Sequence, residues 1–88
     1  MKKQFKAEKK AYIKVLKIKK KLLIAEAKAS FLSYKNQRIE FKYKGIISAK
    51  DSKALIAEGK AFYKVMQLEH KLILAEGIFA YHVYKNNI

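Results

Sequence analysis

Apolar residues recur along this chain in steps of three and four. From Ala7 the walk runs through Ala11, Val15, Ile18, Leu22, Ala25, Ala29 and Leu32. From Ala54 it runs through Ala57, Ala61, Val65, Leu68, Leu72, Ala75, Phe79 and Val83, again with no polar interruption. That spacing follows the 3.6-residue turn of an α-helix, so it predicts two amphipathic helices, at about residues 3 to 35 and 50 to 85.

The two walks are versions of one text. Residues 7–36 lie over residues 57–86 at a shift of 50 (57 minus 7), with identities that include Ala7/Ala57, Glu8/Glu58, Lys14/Lys64, Glu26/Glu76 and Asn36/Asn86. The chain therefore reads as a single domain, 1–88, made of repeat one (about 7–36), a linker (about 37–49) and repeat two (about 57–86). An internal duplication of a helix predicts an all-α fold, two long antiparallel helices forming a helical hairpin.

An all-β antiparallel meander is the alternative. Leu55, Ala57, Gly59, Ala61, Tyr63 and Val65 alternate with mostly polar neighbours, as in a half-buried strand. A meander would have to reverse at residues 17–21 and 66–70, where no Gly, Asn, Asp or Pro supplies turn dihedrals. Turn formers cluster instead at 35–37, 44–45, 48–52 and 85–87, where a two-helix reading needs its ends. Ser48 with Asp51 suits a capping pair, and Asn36 and Asn86 suit the left-handed closing position. The alternating run RIEFKYKG, 38 to 45, suggests a short extended segment in the linker. Gly59 and Gly77 each cost about 1 kcal/mol within a helix and suggest close helix contact.

Both walks are rich in alanine, which lets two helices approach closely. Large apolar residues lie off the seam as well: Leu16, Leu23, Ile24 and Phe31 in repeat one, and Leu55, Met66, Ile73, Leu74 and Tyr81 in repeat two. Two helices cannot bury all of these, so assembly into a homo-oligomeric bundle, or docking of a partner protein, is expected.

Charge adds a partner class. The chain has 21 Lys and Arg against 7 Asp and Glu, a net +14 in 88 residues, and a 51% hydrophobic content sets it apart from a disordered polycation. On the helical projection Lys10, Lys14, Lys17, Lys21, Lys28 and Lys35 share one face of the first helix. Lys53, Lys60, Lys64, Lys71 and Lys85 share the corresponding face of the second. Such ridges suit a polyanion, with nucleic acid (DNA, or alternatively RNA) held by its phosphates in a sequence-independent, architectural or packaging role. A single arginine, Arg38, leaves little capacity for bidentate base reading. The competing readings are a solvated charged face, a self-assembling scaffold that uses its apolar faces, and a protein of the anionic membrane surface. Aromatics beside lysines, as in FKYK at 41–44, add a weak stacking signal.

Chemistry is sparse. There is no cysteine, so no disulfide or thiol site exists. His70 and His82 point about 120° apart on the wheel and do not share a metal. Glu8 with Glu26, and Glu58 with Glu76, stand 18 residues apart, about 27 Å along a helix, too far for an acid/base dyad. No catalytic constellation, metal, cofactor or small-molecule substrate is expected. The basic start lacks an apolar core of signal-peptide type, and the longest apolar stretch is too short to cross a bilayer, so a cytoplasmic setting is expected.

Overall fold

The 3.6-residue period is realised as two helices in contact. In a computed structural model, which describes the backbone of residues 2–42 and 49–88 and the side chains of residues 5–37 and 50–88, α1 spans Lys2–Lys42 and α2 spans Ala49–Asn86. The pair is a helical hairpin, and no strand occurs among the described residues, which excludes the meander. The helix outcome follows from composition: lysine and alanine favour helix, and neither helix contains proline.

Both helices outrun their predicted ends, α1 by several residues. Residues 38–42 continue α1, so the extended segment expected from 38 is absent over that part, and 43–45 lie outside the described residues. Nothing between Asn36 and Lys42 breaks a helix, and the alternating pattern there competes with a helix already nucleated upstream. Asn36 is thus inside α1 and does not end it. At the other terminus the last turn is closed by Asn87, whose backbone N–H donates to the Tyr84 carbonyl at 3.2 Å and whose Nδ2 donates to the Val83 carbonyl at 2.9 Å. Ser48 lies outside the described residues; Asp51 sits in the first turn of α2, where a carboxylate offsets the helix dipole.

The hairpin comprises two compact units. Unit 1 joins residues 1–22 to residues 67–88. Its seam holds Ala11, Val15 and Leu22 of α1 against Leu68 and Ala75 of α2, all buried. Tyr12 extends the packing by stacking obliquely on Phe79, with ring centroids 5.3 Å apart. Unit 2 comprises residues 23–66. There Ala25 and Ala29 of α1 and Val65 of α2 are buried, with Leu32, Ala54 and Ala61 half-buried. Of the predicted stripes only Ala57 is exposed.

A polar clasp pins each unit. In unit 2 the Asn36 amide, 3% exposed, donates to the Ala54 carbonyl at 2.9 Å and to Glu58 Oε1 at 3.2 Å. In unit 1 Asn86 Nδ2 donates to Glu8 Oε2 at 2.8 Å. These are the same two residues of the repeat, exchanged between its copies, because 86 minus 36 and 58 minus 8 both equal 50. Repetition of a charge-assisted hydrogen bond at equivalent positions fixes the register of both helix pairs.

The glycines have a different role from the one expected. A Cβ placed on Gly59 or Gly77 meets nothing within 4 Å, so neither marks a close contact between the two helices.

Candidate polyanion-binding face

An antiparallel helix pair sorts its side chains by angular offset from the seam. Because the second helix runs the opposite way, equal offsets of the same sense fall on the same side of the plane through the two axes. At about 100° per residue the lysines of both ridges stand roughly 60° to 125° from the seam in one sense. In unit 1 this places Lys10, Lys14, Lys17 and Lys21 of α1 on one side together with Lys71 and Lys85 of α2. In unit 2 it does the same for Lys28, Lys35, Lys53, Lys60 and Lys64. All eleven are exposed.

The acidic residues take the other side. Glu8, Glu26, Glu58, Glu69, Glu76 and Asp51 stand roughly 55° to 75° from the seam in the opposite sense. Every acidic residue whose side chain is described is in that set. The lysine side of each unit is therefore free of carboxylates among the described residues. Exposed apolar side chains lie on both sides: at roughly 95° to 145° in the acid sense Phe5, Tyr12, Leu16, Ile73 and Tyr84 in unit 1 and Leu23, Tyr34, Phe62 and Met66 in unit 2, and at roughly 105° to 155° in the lysine sense Ile13, Leu74 and Ile78 in unit 1 and Ile24, Phe31 and Ile56 in unit 2.

Segregation of this kind has an electrostatic consequence. Lys10/Lys14, Lys17/Lys21 and Lys60/Lys64 sit at i, i+4, where like charges repel by a few tenths of a kcal/mol per pair. With no carboxylate on that side to offset them, their fields add outward and attract anions. Lys10 to Lys21 covers 11 residues, about 16 Å of helix. Duplex DNA carries a charge per roughly 1.7 Å of axis, so four ammonium groups over that length meet several phosphates at once.

The other sequence expectations are more modestly placed. His70 is exposed and His82 half-buried, on different sides of α2. Among the described residues no group of three His, Asp or Glu is gathered for a metal ion. Glu8 and Glu58 face asparagines across the seam. Tyr81 lies 5.9 Å from the Lys85 ammonium, a cation–π contact at the border of the lysine side of unit 1. Of FKYK, Phe41 and Lys42 belong to α1 and the rest lies outside the described residues. No described helix is long and apolar enough to cross a membrane.

Two features escaped the sequence reading. The asparagine–glutamate clasps were visible as identities between the repeats, Glu8/Glu58 and Asn36/Asn86, but their meeting needs the hairpin register. The one-sided placement of the acids was foreshadowed by their 18-residue spacing, five full turns. No protein-family model, curated protein or solved structure matches this chain, so its functional reading rests on geometry.

Proposed function

We propose that the protein binds the phosphate backbone of nucleic acid through its lysine side, without sequence preference, in an architectural or packaging role that requires no catalysis. The observation that carries this reading is the separation of charge: eleven exposed lysines from both helices on one side of each unit, with the described carboxylates on the other, where Lys19 also lies. A merely solvated surface has no need to separate them, because interspersed charges hydrate equally well and repel less. Lysine is a point charge, suited to phosphate and poor at the bidentate reading of bases.

Fluorescence anisotropy with two unrelated duplexes across a salt series tests it. The expected result is similar affinity for both, falling linearly with salt on logarithmic axes. A clear preference for one duplex removes the sequence-independent part. Absence of binding at about 0.1 M salt, where screening reaches about 10 Å, removes the proposal. Self-assembly through apolar surface is a second reading, favoured by the exposed Leu23 and Ile73.

A further inference from the structure

Unit 1 gathers three aromatic rings at one open cleft. The cleft measures about 280 Å³ and is lined by Phe5, Glu8, Lys9 and Tyr12 of α1 and by Phe79 of α2, all within unit 1. The α1 residues meet because they stand three, four and seven apart, on successive turns of one helix. Phe5 and Tyr12 are 66% and 48% exposed, and Tyr12 rests obliquely on half-buried Phe79.

The duplication supplies an internal comparison. At a shift of 50 the lining positions correspond to Leu55, Glu58, Gly59, Phe62 and Ala29, all within unit 2. The glutamate is kept in both units, as the clasp requires. Phe5, Phe79 and Lys9, however, have no aromatic or cationic counterpart in unit 2. Packing of the seam does not explain the difference, because Ala29 closes completely at the position of Phe79, and Phe5 leaves most of its ring in water.

We propose that this cleft takes an unpaired nucleobase of a single-stranded nucleic acid whose phosphates run over the lysines beside it. The proposal rests on the phosphate-binding reading and adds to it the form of nucleic acid preferred. Each part of the cleft has a counterpart in a nucleotide. The rings stack on a base face, whichever base it is. Glu8 accepts from Asn86 through Oε2, and the carboxylate has further lone pairs for the exocyclic amino group of adenine, cytosine or guanine. Lys9 supplies a cation for the adjoining phosphate. At about 100° per residue Lys9, Lys6 and Lys10 then follow one another round α1 from the cleft to the lysine side, and all three are exposed.

A duplex leaves the cleft unused, because its bases are stacked and paired. A quaternary ammonium group also suits aromatic rings beside a carboxylate, but here it would enter beside Lys9, with Lys6 three residues away. An aliphatic tail would desolvate the Glu8 carboxylate and give it no donor in return.

Fluorescence anisotropy of the full chain with oligodeoxycytidine, and with a duplex of equal phosphate number at the same salt, is the test. Phe5→Ala is expected to weaken the single strand about tenfold, the scale of one lost stacking contact, and to leave the duplex affinity and the helix content unchanged. Phe62→Ala, at the unit 2 counterpart of Tyr12, is expected to change neither affinity. A contact marker needs no change in the cleft. An oligodeoxycytidine with one 5-iodocytosine, which cross-links under ultraviolet light to a ring stacked on it, is expected to couple to Phe5, Tyr12 or Phe79, as read by peptide mass.

An undiminished affinity of Phe5→Ala for the single strand overturns the proposal, as does equal weakening on both nucleic acids. So do cross-links confined to aromatic residues outside the cleft. In each of these cases salt-dependent duplex binding leaves the phosphate reading standing; if neither nucleic acid binds at about 0.1 M salt, both fall. Ring-proton shifts produced by tetramethylammonium or a short-chain detergent, and not by deoxycytidine monophosphate, would assign the cleft to those ligands and overturn the base reading.

Discussion

Unit 1 and unit 2 use one clasp in two settings. In unit 2 the asparagine is Asn36, buried within a helix that runs on to Lys42, with its amide committed to Ala54 and Glu58. In unit 1 it is Asn86, half-buried as the last residue of α2, bound to Glu8. The asparagine-to-glutamate bond is common to both, and its length differs by 0.4 Å (3.2 minus 2.8). What differs most is solvent, with Asn36 buried and Asn86 half-buried. A buried amide that loses its partners has no water to turn to, so the same pair of residues specifies alignment more strongly in unit 2 than in unit 1.

The largest expected difference between the units concerns charge. Replacing Lys10, Lys14, Lys17 and Lys21 by Gln removes four ammonium groups from unit 1. Replacing Lys53, Lys60 and Lys64 removes three from unit 2. If all contact phosphate, the salt slope should fall by about 3.6 in the first variant and about 2.7 in the second, at about 0.9 per contact. Anisotropy titrations at several salt concentrations check this, with circular dichroism to confirm unchanged helix. Equal, near-zero changes would mean that neither ridge touches the polyanion.

Next in size is the clasp itself. Asn36→Ala should destabilise the fold by about 1–3 kcal/mol, since it strands the Glu58 carboxylate against a desolvated seam, and Asn86→Ala by about 0.5–1.5 kcal/mol. Denaturant melts of both variants, at fixed protein concentration because association adds to apparent stability, decide the order. A cost at Asn86 as large as at Asn36 would show that burial is not what separates the two units. Glu58→Ala in the Asn36→Ala background should add little, because the pair has already been broken.

How much of this was legible in the sequence depends on the range of the interaction. Helix and seam follow from periods of three and four, which are local, and they appear where expected, apart from exposed Ala57; the ridge lysines are exposed. The helix ends were misjudged because Asn36 and the alternating residues after it were read as local signals, whereas the Asn36 amide is engaged across the seam with residues 18 and 22 positions away. The side on which the acids lie needed one further step, the antiparallel sense of the pair, which puts the carboxylates of both helices on one side within each unit. Whether the exposed apolar residues meet another chain depends on molecules outside the sequence altogether.

The smallest expected effect bears on that last point, through one glycine in each unit. Gly59 belongs to unit 2 and Gly77 to unit 1, and a Cβ at either finds open space within its own chain. Within a lone hairpin, Gly59→Ala and Gly77→Ala should each stabilise by about 1 kcal/mol through helix propensity, raising Tm by about 4–8 °C. Both positions stand roughly 155° from the seam, on the outer surface of their units, so a second copy bound through apolar surface can meet them. If the copy packs its backbone there, added methyl groups wedge the chains apart, so Tm falls at high concentration and rises at low. Two glycines that both stabilise at every concentration would instead mean that no second chain packs closely at either. Thermal melts at two concentrations a hundredfold apart distinguish these arrangements, and a glycine that behaves differently in unit 1 and unit 2 shows which end of the repeat carries the closer approach.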